Sequence, residues 1–264
     1  MDMLTKNKKN NPLRLHLLDA FRGITIISMI VFHTCWDLMY YGMGISYQVL
    51  YGPVGYVWQQ SICWSFIFLS GFCFSLGKKP LKQGITVFVA GVIVSVVTFL
   101  VDYDARILFG VLTLLGTSTL IMCLIDRFMP KEKGGAVIAL IICIILFVVT
   151  KSVSSGYLGF ESIKICNLPR ELYANYVTAF LGFPQPGFYS SDYFGIMPWL
   201  FLYMSGYFTH KLIGGSEGVF CSFCRRHGCR PLEFLGRHSL VIYMAHQVAI
   251  YGIVTLIHML FWRN

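Results

Sequence analysis

The first apolar stretch of the chain carries four ionisable residues, Asp19, Arg22, His33 and Asp37, at spacings that can do chemistry. On an α-helix, at roughly 100° per residue and with Asp19 at zero, Arg22 falls at about −60°, His33 at about −40° and Asp37 at about 0°, so all share one stripe. Arg22 and His33 are eleven residues apart. A rise of about 1.5 Å per residue therefore sets the imidazole about 16 Å along the axis from the guanidinium. Asp37 stands one turn beyond His33, where side chains on one helix meet. A carboxylate there can fix the imidazole tautomer and raise its basicity, the base-plus-orienter arrangement of acyl transfer. The same spacing also suits a structural His–Asp bond that ties helices together, and Arg22 also reads as a cation snorkelling to the interface. A second stripe lies far along the chain. Relative to Ser239, Tyr243 falls at about 40° and His246 at about −20°, with Arg237 just ahead of them. Two polar stripes, each headed by an arginine, point to one shared internal cavity.

The elements that must position these groups are apolar. Hydrophobic residues make up 56% of the 264 and charged residues 12%, and the mean hydropathy is +0.66, too apolar for a soluble domain. An ionisable residue in such a segment costs about 2.5–3.5 kcal/mol on insertion, so it persists only where paired, in a cavity or functional. Stretches of about 20 mainly apolar residues, the length that crosses a bilayer, run near 18–41, 56–76, 85–101, 107–125, 136–150, 193–212 and 239–262. The fold expected is an all-α, polytopic integral membrane bundle of seven transmembrane helices, forming a single domain over residues 1–264. Asp19 and Arg22 interrupt the start of the first span and no small-residue cleavage pattern follows it, so it reads as retained and not as a cleaved signal peptide.

A net charge of +9 would suggest nucleic acid if it lay on one soluble face. Its distribution says otherwise. Lys6, Lys8, Lys9 and Arg14 precede the first span; Lys78, Lys79 and Lys82 follow the second; Arg127, Lys131 and Lys133 the fourth; Lys211, Arg225, Arg226 and Arg230 the sixth. By the positive-inside rule these alternate loops are cytoplasmic, which sets the N-terminus inside and makes the lipid bilayer, not nucleic acid, the partner. The segment 151–192, with Pro169, Pro184 and Pro186, is expected to form an extracytoplasmic cover or a re-entrant piece, its amphipathic stretch 172–183 being short and polar for a span; an eighth span there is the alternative. On the cytoplasmic side, 213–233 carries Cys221, Cys224, His227 and Cys229. These are zinc-ligand types, but they make only one half-site, so no metal is expected. The nine cysteines lie mostly within spans, where a thiol behaves as a small hydrophobe, and no disulfide framework is expected.

Four motifs carry a resemblance. Arg14-Leu-His-Leu-Leu-Asp-Ala-Phe-Arg-Gly23, leading to His33 and Asp37, resembles the opening of the heparan-α-glucosaminide N-acetyltransferase catalytic-domain family and its bacterial relatives. Phe109-Gly-Val-Leu, Ser191-Asp-Tyr-Phe-Gly-Ile-Met-Pro-Trp199 and Leu235-Gly-Arg-His-Ser-Leu-Val-Ile-Tyr-Met-Ala-His-Gln247 resemble its later motifs, in the family's order. Thr113 departs from the pattern, standing where relatives often carry histidine. Arg22-x10-His33 is also similar to the first-helix pattern of the broader transmembrane acyltransferases. The resemblance implies transfer of an acetyl (acyl) group from cytosolic acyl-CoA to an extracytoplasmic acceptor: an amino sugar, a glycan hydroxyl or a small metabolite. It implies His33 as catalytic base with Asp37 beside it, and Arg22 and Arg237 where the CoA phosphates enter. Asp19, Ser239, Tyr243 and His246 would line the rest of the acetyl-CoA path. A homodimer in a bacterial plasma membrane is the corresponding expectation. The competing readings are a proton-coupled transporter, which buried His, Asp and Arg also serve, and a membrane scaffold. Inverted repeats and paired broken helices, frequent in transporters, are not evident.

Overall fold

In lipid every backbone N–H and C=O must be satisfied within its own segment, and the apolar runs accordingly fold as helices. The computed structural model describes residues 14–130, 132–213, 215, 218–226 and 228–261; Lys6, Lys8, Lys9, Lys131, His227 and Arg263 lie outside them. In chain order the helices are α1 (His16–Tyr40), α2 (Tyr47–Tyr51), α3 (Pro53–Cys73), α4 (Pro80–Val101), α5 (Val111–Ile125) and α6 (Lys133–Thr150), then a hairpin of β1 (Tyr157–Phe160) and β2 (Ile163–Asn167). There follow α7 (Tyr176–Leu181), α8 (Ile196–Leu212), α9 (Val219–Cys224), α10 (Arg230–Arg237) and α11 (Ser239–Phe261).

Among the described residues six helices are long and apolar enough to cross a bilayer: α1, α3 with its continuation to Leu76, α4, α5 with its continuation to Phe128, α6 with its continuation to Ser155, and α11. The element expected over 193–212 is shorter. Its 17 residues include a break at Met197, whose ψ of 137° is extended backbone, in keeping with the restriction on a residue that precedes proline. At about 1.5 Å per residue it reaches about 25 Å, short of a hydrocarbon core of about 30 Å. The stretch 172–183 forms only the six-residue α7, too short to span.

The described chain forms two compact units, one of α1, α9, α10 and α11 and one of α2 to α8. In the first, α10 lies against the start of α1 with backbone touching backbone. A Cβ on Gly236 would stand 1.8 Å from the Asp19 carbonyl oxygen, and one on Gly23 would stand 2.1 Å from that of Leu232. Small residues of this kind let helices approach where lipid offers no hydrophobic drive. The contact is pinned by polar groups: Glu233, 2% exposed, accepts from the Gly228 N–H at 2.9 Å and meets His16 Nδ1 at 2.8 Å. Because α10 holds the start of α11 at the start of α1, the two long helices run side by side in the same direction, and Tyr41 Oη reaches Thr255 Oγ1 at 2.7 Å. Helix α11 buries His246, Ile250 and Val254, spaced one turn apart. It exposes Val241, Val248, Ile253 and Leu256, as a lipid-facing helix does.

The second unit uses the same device. A Cβ on Gly71 would stand 1.8 Å from the Tyr203 carbonyl oxygen and one on Gly206 2.0 Å from that of Phe68, which joins α3 to α8. Thr113 is buried where α5 packs on Gly91 of α4, its amide 2.6 Å from that glycine's would-be Cβ. Trp64, Phe147, Trp199 and Phe194 form a chain of aromatic contacts. The segment 151–192 holds the hairpin, whose turn residue Glu161 has φ 49°; its carboxylate accepts from Tyr56 Oη at 2.5 Å and pairs with Lys151 Nζ at 3.4 Å.

Candidate functional site

The four motifs pair off, two in each unit. In the second unit, Phe109-Gly-Val-Leu meets Ser191-Asp-Tyr-Phe: the Phe194 N–H donates to the Phe109 carbonyl at 2.8 Å, the Leu108 N–H to Ser190 Oγ at 2.9 Å and the Val111 N–H to Asp192 Oδ2 at 3.4 Å. Asp192 thus satisfies an amide that the first turn of α5 leaves unpaired. Phe109 sits at φ 56°, a left-handed conformation that costs a bulky residue energy and that this network over-determines.

In the first unit, the Arg14–Gly23 motif and the stripe of α1 meet the motif that spans α10 and α11. His33 and His246 come together, their ring centroids 4.9 Å apart and the planes inclined at 59°. His246 Nδ1 lies 2.6 Å from the Tyr243 carbonyl oxygen. Since a carbonyl only accepts, Nδ1 carries the proton and Nε2 keeps its lone pair. That Nε2 is buried with no hydrogen-bond partner among the described residues. One turn further along α1, Asp37 is buried and its Oδ1 accepts from Gln247 Nε2 at 3.3 Å.

The bond expected between Asp37 and His33 is not formed; the physical reason is that Gln247 reaches the carboxylate from α11, while the imidazole of His33 turns to the ring of His246. Gln247 was missed as a participant, although it is the last residue of the fourth motif and directly follows His246. Asp37 Oδ2 and Gln247 Oε1, like His246 Nε2, are buried acceptors without a partner among the described residues. An unsatisfied buried group costs about 1–3 kcal/mol, and these three acceptors, on Asp37 and on the adjacent His246 and Gln247, can take N–H or O–H donors.

The other expected site residues are distributed around the near end of α1. Asp19 is buried and holds Arg14 Nε at 2.8 Å, so it is an anchor for the chain entering α1. Arg22 is half-buried and makes no ion pair among the described residues. Arg237 is exposed, with its Nε donating to the Glu233 carbonyl at 3.1 Å. Ser239 is the half-buried first residue of α11. The Tyr243 ring lies 5.3 Å from that of His246. Arginines therefore sit at one end of the unit and the imidazole pair deeper along both helices. Cys221 and Cys224 are buried and Cys229 is exposed; burial pushes the Cys221 thiol up, with Arg225 pulling it back.

The fold and the site define a multi-pass α-helical membrane protein with two histidines in contact between two of its long apolar helices. The model of the heparan-alpha-glucosaminide N-acetyltransferase catalytic family matches residues 14–248, and the chain belongs to that family, whose class is the transmembrane acetyltransferases. No curated protein and no solved structure matches the chain.

Proposed function

We propose that the protein transfers an acetyl group from cytosolic acetyl-CoA to an amine or hydroxyl on the far side of a bacterial plasma membrane, with His33 as general base. The observation that carries this reading is the His33–His246 contact within two apolar helices. Such a pair is costly to maintain in lipid unless it works. The neighbouring unsatisfied acceptors suit a donor-bearing acceptor molecule. A thioester supplies an activated acyl carbon. His33 takes the proton from the acceptor N–H or O–H as that atom bonds to the acyl carbon, and the C–S bond breaks. The imidazolium then returns the proton to the departing thiolate. Arg22 and Arg237 supply cationic donors for phosphates at the entrance. Arg22→Ala and Arg237→Ala are expected to weaken acetyl-CoA binding far more than that of an acetylated pantetheine, which lacks the nucleotide phosphates; equal losses for both ligands would make the arginines structural.

The orientation proposed is the positive-inside one, with 78–82 and 225–230 cytoplasmic. Exposed native thiols on the described chain test this: Cys166 in the hairpin and Cys229 before α10. An impermeant maleimide should label Cys166 in intact cells and Cys229 only after permeabilisation, with Cys166→Ser and Cys229→Ser as controls. The reverse pattern would overturn both the orientation and the direction of transfer.

A further inference from the structure

We propose that His246 is a positioning residue that holds His33 in its reactive tautomer, a different task from the cofactor contact first expected of it. The inference rests on the acetyl-transfer reading and adds a second imidazole to it. His246 is locked: its Nδ1–H is committed to the Tyr243 carbonyl at 2.6 Å, so Nε2 can only accept, and that atom is buried without a partner among the described residues. His33 is the imidazole nearest to it, at 4.9 Å between centroids. Two imidazoles joined by an N–H···N bond of about 2.9 Å have centroids about 5 Å apart, so the rings already stand at the separation such a bond requires, and His33 is the ring that turns to make it. Asp37, the other acceptor beside His33, is engaged by Gln247 through Oδ1. With one His33 N–H directed to His246 Nε2, the opposite ring nitrogen of His33 is unprotonated and faces the acceptor. When that nitrogen takes the acceptor's proton, both nitrogens of His33 carry hydrogen. One returns its proton to the thiolate and the other keeps its proton, still hydrogen-bonded to His246 Nε2, so no net charge passes to α11 and the pair is reset after each turnover.

Side chains of graded ability to accept separate this role from packing. In His246→Gln the amide oxygen stands near the position of Nε2, whereas His246→Asn places its amide near Nδ1 and His246→Phe keeps the volume with no acceptor at all. Transfer from acetyl-CoA to glucosamine should fall about 10²-fold or more in kcat for the Phe and Asn variants, with the KM for acetyl-CoA and the melting temperature little changed. The Gln variant should remain within about tenfold of the parent. Nitrogen-15 spectra of the histidine-labelled protein, with seven histidines to assign, give a readout independent of turnover. His246 should show the Nδ1–H tautomer, and His33 a single tautomer in the parent that becomes a mixture in His246→Phe. Parallel losses in kcat, KM and melting temperature, or a His33 tautomer unmoved in His246→Phe, would overturn the proposal. A parent protein that binds acetyl-CoA but acetylates nothing would instead sink the acetyl-transfer reading, while the spectra still decide the coupling of the two rings.

Discussion

Replacing His33 by alanine is expected to cut the turnover of acetyl transfer by about 10²–10⁴-fold, the contribution of a positioned general base, while acetyl-CoA affinity and thermal stability stay close to those of the parent. The stability half of this expectation follows from the geometry. His33 makes no hydrogen bond among the described residues and touches His246 and Phe32 only through its ring, so its loss strands no partner on α1. A structural histidine would behave differently: melting temperature and ligand affinity would fall together with activity. Asp37→Asn should cost less, about tenfold, because asparagine still offers Gln247 an oxygen and the carboxylate does not contact His33. Measuring transfer, acetyl-CoA binding and melting on the same detergent-purified variants decides the matter, and full activity in His33→Ala would refute the assignment.

The second large effect concerns shape, not chemistry. Gly236→Ala is expected to lower the melting temperature by about 2–10 °C, the shift that about 1–3 kcal/mol of overpacking produces in a chain of this size, and Gly23→Ala by a similar amount. The obstruction in each case is a backbone carbonyl, at 1.8 Å from the new carbon for Gly236 and 2.1 Å for Gly23, and a backbone cannot rotate away as a side chain can. Helix α10 must therefore move off α1. That separation also pulls Glu233 from His16 and leaves a buried carboxylate short of a partner, a loss that adds to the overpacking. Gly134→Ala and Gly252→Ala serve as controls, since a Cβ at either position meets nothing within 4 Å and alanine favours the helix. Equal melting temperatures for all four variants would show that the α1–α10 contact does not hold the unit together.

Much of this protein follows from its sequence. Apolar runs of bilayer length in a chain with so little charge specify membrane helices, because lipid leaves the backbone no other way to satisfy its polar groups. The helical period then puts Asp19, Arg22, His33 and Asp37 on one stripe whatever the rest of the chain does. The family motifs were legible for a related reason: they fall on the few polar and glycine positions that such helices carry. What the period could not decide is which groups on different helices meet. That His33 faces His246 while Asp37 faces Gln247 depends on the register of α11 against α1. That register is set by two glycines, and a glycine's role as a close-approach point is visible only once its neighbour is known. The break at Met197 that shortens α8 lies next to a proline plain in the sequence, but whether Pro198 begins a helix or interrupts one depends on how the preceding loop is tied to α5 by Asp192 and Phe109. Stripes belong to one helix and are local; the contact between two stripes is a tertiary fact, decided where backbone packs on backbone.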